Sequence, residues 1–257
     1  MDVILTGACG RMGSAVAQLA PSFGIRIVAG VDPFRKECPF PVYEKIFEVN
    51  EVADAIIDFS FHGFTPELCA YAREKGLPVV ISTTGHTPEE LEMIAELSHE
   101  VAVFRSGNMS VGVNLLIELC RSAAKRLGGK ADIEIIEKHH NQKLDAPSGT
   151  ALMIASEIRE ELPEENEYVY DRTGRREVRP QNEIGISSVR GGNIVGEHEV
   201  MFCFGNEILS VKHTALGRAV FAEGALRVVS FLTGQKPGMY SMKEFLEDAA
   251  KDSATVS

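Results

Sequence analysis

Val3-Ile4-Leu5-Thr6-Gly7-Ala8-Cys9-Gly10-Arg11-Met12-Gly13 stands at the start of this chain, and its reading decides the fold. Val3 to Leu5 begin a short apolar strand, and Gly7 ends it. The three glycines are evenly spaced, so they nearly align on one side of a strand-to-helix turn. Glycine there lets backbone amides approach a pyrophosphate, while Gly13 lets the helix pack close to a sheet. Arg11 to Ala20 continue as a helix of small residues, and Ile25 to Val31 form a second β-branched run ending at Asp32. A dinucleotide-binding fold carries its ribose-binding acid there, about twenty residues beyond the last glycine. A turn made only for packing and an ordinary strand-end acid are the plainer alternatives. The Asp32 carboxylate can accept from an adenosine 2′-hydroxyl but repels a 2′-phosphate, and Pro33 adds no cation. Arg35 and Lys36 stand close enough to compensate in part, so the reading is NADH or NADPH with a tilt to NADH.

Further along, Asp54 to Asp58 form a third strand candidate. Thr65 is expected as an N-cap with Pro66 at the first helical position, and Gly76 closes that helix. Leu77 to Ile81 and Val101 to Phe104 are strands four and five, separated by a helix that the capping box Thr87-Pro88-Glu89-Glu90 opens. Continuous apolar strands alternating with helices predict a parallel sheet wrapped by helices. Ser82-Thr83-Thr84-Gly85 and Ser106-Gly107-Asn108-Met109 follow the last two strands, at the edge where such sheets bind ligands. Either stretch could also be just a turn.

After Asn108 the rhythm changes. Val111 to Leu127 read as a long helix stopped by Gly128-Gly129, then Ile133 to Glu137 as a strand. A Ser148-capped helix reaches about Leu162, and the charged stretch 163–182 reads as a loop. Strands follow at Ile184 to Arg190, Glu199 to Phe204 and Glu207 to Lys212, the last two joined by a Gly205-Asn206 hairpin turn. This part is α+β with an antiparallel or mixed sheet. Gly217 to Leu232 and the Ser241-capped segment to Ala249 return to helix, and Lys251 to Ser257 are a polar tail expected to fray.

At 257 residues the chain suits one large domain or two modest ones. The net charge of −11 argues against a nucleic-acid surface but leaves room for a locally basic anion pocket. Cys9, Cys38, Cys69, Cys120 and Cys203 are scattered, which suggests small buried thiols in a reducing compartment. No apolar run reaches the ~18 residues of a membrane helix and no leader precedes one, so the expected location is cytoplasmic, away from any membrane.

Chemistry concentrates in Glu134-Ile-Ile-Glu-Lys-His-His-Asn-Gln-Lys-Leu-Asp-Ala-Pro-Ser-Gly-Thr150. Ser148 caps the helix, Gly149 and Thr150 open its first turn, and the first acid is Glu157. Free amides at a positive dipole end make a carboxylate or phosphate site, although an ordinary capped helix would look the same. Lys143 adds a cation, or is a solvated surface lysine. His139 and His140 are neighbours at a strand end, so they point opposite ways and do not share a metal ion; no metal site is expected. One histidine can face a reacting atom and the other a substrate carboxylate; a structural pair is the bland alternative.

These residues carry a resemblance. The chain resembles the 4-hydroxy-tetrahydrodipicolinate reductase (dihydrodipicolinate reductase) family in residues 7–13, Thr83-Thr84-Gly85, Asn108 to Asn114, Glu137 to Ala151 and Val195-Gly196-Glu197-His198. Cys9, Ser82 and Met109 depart from the family pattern without removing a charge or a catalytic group. The resemblance implies a Rossmann-like α/β dinucleotide-binding domain over 1–110, completed by 215–257. An inserted α+β domain for substrate binding and tetramerisation covers 111–214. It implies NAD(P)H-dependent reduction of 4-hydroxy-tetrahydrodipicolinate, a small dicarboxylate, to tetrahydrodipicolinate in diaminopimelate and lysine biosynthesis, by a homotetramer. It makes His139 the proton donor and acceptor and Lys143 the second proton donor, with His140, Lys143, Ser148, Gly149 and Thr150 holding the substrate carboxylates. It lays the cofactor on Gly7, Ala8, Cys9, Gly10, Arg11, Met12, Asp32, Ser82, Thr83, Thr84, Ser106, Gly107, Asn108 and Met109, with Arg218 nearby. A nucleotide-binding sensor would have no use for the 139–150 constellation. A semialdehyde dehydrogenase would need a cysteine nucleophile paired with histidine, and no cysteine lies in such a loop.

Overall fold

A computed structural model describes residues 1–34, 37–163 and 165–254. In chain order, β1 (Asp2–Thr6) leads into α1 (Arg11–Leu19), β2 (Arg26–Val31), β3 (Val42–Tyr43), β4 (Ala55–Asp58), α2 (Thr65–Lys75), β5 (Val79–Ile81), α3 (Pro88–Leu97) and β6 (Ala102–Arg105). Next come α4 (Val111–Leu127), β7 (Asp132–His139), α5 (Gly149–Glu160), β8 (Glu167–Val169), β9 (Glu183–Arg190), β10 (Gly196–Phe204) and β11 (Glu207–Ala215). Then α6 (Ala219–Leu232), β12 (Gly238–Tyr240) and α7 (Met242–Ala254) follow. The chain divides into two compact units, Met1–Val111 with the segment from Arg218 onward, and Gly112–Gly217.

The first unit is a parallel seven-stranded sheet in the order β12-β6-β5-β4-β1-β2-β3. The chain winds outward from β1 through β2 and β3, then returns to the other side of β1 with β4, β5 and β6. The order therefore reverses beside β1, where ligands of open α/β sheets bind at the carboxyl ends of the strands. Both faces are covered, which explains the unbroken apolar strands: Val3, Leu5, Ile57 and Phe104 pack with α6 on one side, and Ile4, Ile56, Val79 and Val103 with α2 and α3 on the other. Helix α6 buries Ala222, Gly224, Ala225, Leu226, Val228, Val229 and Leu232, and so belongs to this core although it lies far from it in sequence.

The second unit is a mixed five-stranded sheet in the order β11-β10-β7-β9-β8. Strands β7 and β9 run parallel, while β10 is antiparallel to both β7 and β11. One sheet face packs under α4 and α5 through Ile133, Ile135, Ile184, Ile186, Val200 and Phe202. The hairpin turns at Gly205-Asn206, as expected.

Several local expectations need correction. Thr65 is the first residue of α2 and caps nothing; a 3-10 turn over His62–Phe64 runs straight into the helix, and Pro66 is tolerated because first-turn amides need no helical partner. The stretch 163–182 is not all loop, since β8 adds an edge strand parallel to β9. Strand β10 starts three residues early, at Gly196, and β11 runs on to Ala215, because the two pair along their full lengths. Helix α7 runs to Ala254, so Lys251 to Ala254 are helical where a fraying tail was expected, and residues 255–257 of that tail lie outside the described residues. Cys9, Cys69 and Cys120 are buried, whereas Cys38 and Cys203 are only half-buried. Burial pushes the Cys69 thiol up to about 11 and Cys120 up to about 12, which keeps both in the inert thiol form. Among the described residues no helix is long and apolar enough to cross a membrane.

Candidate active site

In the first unit, Gly7 closes β1 with a φ of +69°, and its N–H donates to the Val31 carbonyl at 2.9 Å. A Cβ on Gly7 would lie 2.3 Å from the Phe59 carbonyl oxygen, and one on Gly13 would lie 2.2 Å from the Gly7 carbonyl oxygen. Both positions therefore require glycine for close approach of backbone to backbone. Helix α1 has Gly10 at its N-cap, no capping side chain and no acid in its first turn, which leaves its amides facing outward. Ala8 and Cys9 are buried beneath the turn, Met12 is half-buried and Arg11 is exposed.

Asp32 is nearly buried. It accepts from the Cys9 amide through Oδ2 and from the Phe34 amide through Oδ1, each at 2.9 Å. The acid therefore ties the glycine turn to the end of β2, and each oxygen keeps one lone pair for a ligand. A cavity of about 480 Å³ opens here, lined by Gly7, Gly10, Asp32, Phe34, Lys45 and Phe61 among others. Arg35 and Lys36, expected near this acid, lie outside the described residues.

Past β5, Ser82 Oγ and Thr83 Oγ1 are buried with no hydrogen-bond partner among the described residues. Unsatisfied buried hydroxyls at the ligand edge of such a sheet are what an incoming amide or ribose would satisfy. Together with the glycine cradle, they fit a nicotinamide dinucleotide. Thr84 is exposed and half-buried Ser106 accepts from the Asn108 amide, holding the 106–109 turn closed. The Met109 side chain is buried in the core against α6 residues, so its backbone is what it offers a ligand. Arg218 is exposed at the N-cap of α6.

In the second unit, the register stacks the covered sheet face in layers. Ile133, Ile184 and Phe202 align across β7, β9 and β10, followed by Ile135, Ile186 and Val200. The next layer turns polar, with Glu137 beside Ser188 and His198, and the last holds His139 beside Arg190, with Gly196 at the end of β10. An apolar core thus ends in a cluster of titratable groups under the start of α5.

Glu137 is wholly buried and fully engaged. Arg190 donates to its two oxygens at 2.8 and 2.7 Å, the His139 Nδ1 lies 2.6 Å away, and the Ser148 amide donates at 3.1 Å. Burial alone would raise this carboxyl, but Arg190, His139 and Ser188 hold it down to about 2. Burial also pushes His139 below its usual value, an effect that Glu137 opposes. The His139 Nε2 lies over Gly196, where a Cβ would sit at 3.1 Å, so the missing side chain keeps that nitrogen clear. Arg190 also donates to the Asp145 carbonyl at 2.7 Å, which fastens the 140–147 loop to the same carboxylate cluster.

Ser148 caps α5 by accepting from the Ala151 amide at 3.1 Å. Gly149 is exposed at the open first turn and Thr150 is half-buried beside it; the first turn holds no acid, and the Glu137 carboxylate meets only the Ser148 amide at its base. Lys143 pairs with Asp145 at 2.9 Å, so an anionic ligand there would compete with that carboxylate. His140 keeps a buried Nδ1 without a hydrogen-bond partner among the described residues. The structure thus gathers His139, Lys143 and Ser148 around Glu137 and Arg190.

His198 had no assigned role in the sequence. It packs edge-on against His139 with ring centroids 5.3 Å apart, and its Nε2 lies 3.1 Å from Ser148 Oγ. Burial and the His139 neighbour lower it to about 4, so it is neutral in the folded protein near pH 7. The unfolded chain takes up that proton below its ordinary value of 6.5, and the folded chain only near 4. Its contribution is therefore fully present above pH 6.5 and lost as the pH falls towards 4, an expected loss of about 3 kcal/mol. Urea unfolding at pH 7.5 and pH 5 should show about 2 kcal/mol of this fall, and a His198→Asn variant should reduce it. A wild-type stability that does not change between these pH values would refute it.

Glu137, Arg190 and His198 escaped sequence reading, although a signal existed. Glu137 continues the buried alternation of Ile133 and Ile135, and an acid on a core face needs a buried partner.

Residues 1–109 match the family described as dihydrodipicolinate reductase, N-terminus, and residues 112–246 its C-terminus. The 4-hydroxy-tetrahydrodipicolinate reductase of Caldanaerobacter subterraneus subsp. tengcongensis is 52% identical over 248 residues, covering 95% of this chain and 98% of the relative. That of Clostridium novyi is 44% identical, with 95% and 98% covered. Among solved structures, a dipicolinate-bound dihydrodipicolinate reductase from Paenisporosarcina sp. TG-14 shares the fold with a TM-score of 0.79 at 24% identity, covering 94% of this chain and 97% of that one. Matches to both halves and close relatives over nearly the whole length lead to one conclusion: the chain belongs to the dihydrodipicolinate reductase family of oxidoreductases.

Proposed function

We propose that the protein reduces 4-hydroxy-tetrahydrodipicolinate to tetrahydrodipicolinate with a reduced nicotinamide nucleotide, a step towards diaminopimelate and lysine. The observation that carries this reading is the end of the second unit's sheet. There a carboxylate-held histidine, a lysine and a helix start with no acid in its first turn stand together. Such a group can hold a small dianion and protonate it. A bound reduced nicotinamide supplies a hydride. Hydride addition to a conjugated C=C–C=N system develops negative charge, which a nearby acid must quench. His139 delivers that proton through Nε2, and Lys143, once released from Asp145, is the second donor. His140, Lys143 and the Ser148, Gly149 and Thr150 helix start bind the carboxylates.

The test is an assay with NADH and enzymatically generated substrate, followed by loss of nicotinamide absorbance. Dipicolinate should compete with the substrate and not with NADH, because it satisfies the carboxylate site alone. Absence of turnover with either nucleotide would overturn the reading.

For the cofactor, NADH is expected to serve at least as well as NADPH. Among the described residues that line the Asp32 cavity, Lys45 is set against Asp32, Glu44 and Glu67, which disfavours a 2′-phosphate. Asp32→Ala should narrow the NADH-to-NADPH ratio of kcat/KM. It should also raise both KM values, because the Cys9 and Phe34 amides lose their acceptor. A large NADPH preference in the unaltered protein would contradict this.

The assembly that fits is a homotetramer joined through the second unit. Strand β11 is an edge with Ile208 and Leu209 exposed, a surface that can pair between subunits. Sedimentation at micromolar concentration should show a tetramer, and a monomer would refute it.

A further inference from the structure

We infer that Glu137, held by Arg190, is the positioning residue of this reaction: one carboxylate sets the tautomer of His139 and anchors the helix start beside it. The inference rests on the reading of His139 as proton donor.

Three contacts converge on Glu137 from three parts of the site. From its own strand, His139 approaches through Nδ1 at 2.6 Å. From the helix start, the Ser148 amide donates at 3.1 Å to the other oxygen. From β9, Arg190 donates to both oxygens, and the same guanidinium reaches the Asp145 carbonyl in the loop that carries Lys143. A carboxylate only accepts, so His139 must carry its proton on Nδ1. Its Nε2 is then the nitrogen that takes up the exchangeable proton when the ring becomes imidazolium and gives it up again, on the side that Gly196 leaves open. This is the division of labour in which a buried acid orients an imidazole without itself changing protonation. Ion-pair formation with Arg190 keeps Glu137 charged throughout.

A purely structural carboxylate would explain the buried pair with Arg190 but would leave the contact to His139 incidental. The two roles separate experimentally. The groups around His139 are Glu137 on β7, Arg190 on β9, His198 on β10 and Lys143 in the loop before α5, with Asp145 paired to that lysine. Of these, only Glu137 is within hydrogen-bond distance of the ring.

The experiment is a double-mutant cycle of Glu137→Gln and His139→Gln, reading kcat, KM and the pH profile with NADH and substrate. Glu137→Gln is expected to lower kcat about tenfold or more with KM within about threefold. It should also move the limb of the kcat profile that reports His139 to lower pH, because the imidazolium loses its negative partner. In the His139→Gln background the same change should have an effect under about twofold, since the group it acts through is gone. Full additivity, or a rise in KM with kcat intact, would overturn the inference. If His139→Gln itself leaves kcat unchanged, the proposed function fails instead, and the two failures are thereby distinguished.

Glu137→Gln leaves the Arg190 charge buried and unpaired, so a Glu137→Gln/Arg190→Met variant removes both charges together. Independently of any variant, nitrogen NMR of the unaltered protein at pH 8 should find His139 as the Nδ1–H tautomer. An Nε2–H tautomer there would overturn the inference by itself.

Discussion

Replacing His139 by glutamine is expected to lower kcat by about 10²–10⁴-fold while KM stays within a few-fold, as loss of a general acid does. Glutamine keeps a polar side chain of similar reach, but its amide N–H is not acidic and cannot transfer a proton. Lys143→Ala should also lower kcat, and it should raise KM too, because the same ammonium serves as donor and as carboxylate partner. His140→Ala should act differently. It removes a contact to a charged group worth roughly 1.5–3 kcal/mol, so KM rises about 10- to 100-fold with kcat little changed. Steady-state kinetics on the three variants reads the division directly. If His139→Gln left kcat intact and His140→Ala abolished it, the two histidines would exchange roles. If neither mattered, the cluster at the end of β7 would be structural.

The first unit was largely legible because its rules are local. A strand, a glycine turn and an acid in order specify the cradle, and continuous apolar runs place β1, β2, β4, β5 and β6. The gaps arose where structure comes from pairing at a distance. Strands β3, β8 and β12 are two or three residues long and exist because a neighbour offers an open edge. The active-site loop was legible as a motif, yet its support was not. Arg190 lies 53 residues beyond Glu137, and only the parallel register of β7 with β9 brings them together. Val195-Gly196-Glu197-His198 shows the same limit. As a string it carried resemblance only. In the fold, Gly196 clears His139, Glu197 pairs with Lys138 and Lys212, and His198 meets the helix cap. The inward turn of Met109 was also hidden in the sequence. Its neighbours stand at the ligand edge, but its own side chain is drawn inward by the apolar face of α6.

That inward turn sets up a large effect on stability. Gly224 sits in the middle of α6, where alanine would ordinarily help a helix by about 0.5–1 kcal/mol. Here a Cβ would lie 1.8 Å from the Met109 carbonyl oxygen and 2.8 Å from its carbon. The obstacle is backbone and cannot rotate away, so either the helix or the 106–109 turn must move. Overpacking of this kind costs about 1–3 kcal/mol, and a rigid obstacle puts Gly224→Ala at the upper end. For a protein of this size that is a fall of roughly 6–12 °C in Tm. Gly234→Ala is the control: its Cβ would meet only the Phe231 carbonyl at 3.8 Å, ordinary contact, and its effect should stay within about 0.5 kcal/mol. The displaced turn contains Ser106 and Asn108, so Gly224→Ala should also weaken NADH binding in a fluorescence titration below the melting range. A Tm that rises on Gly224→Ala, as helix propensity alone demands, would show that α6 does not press against Met109.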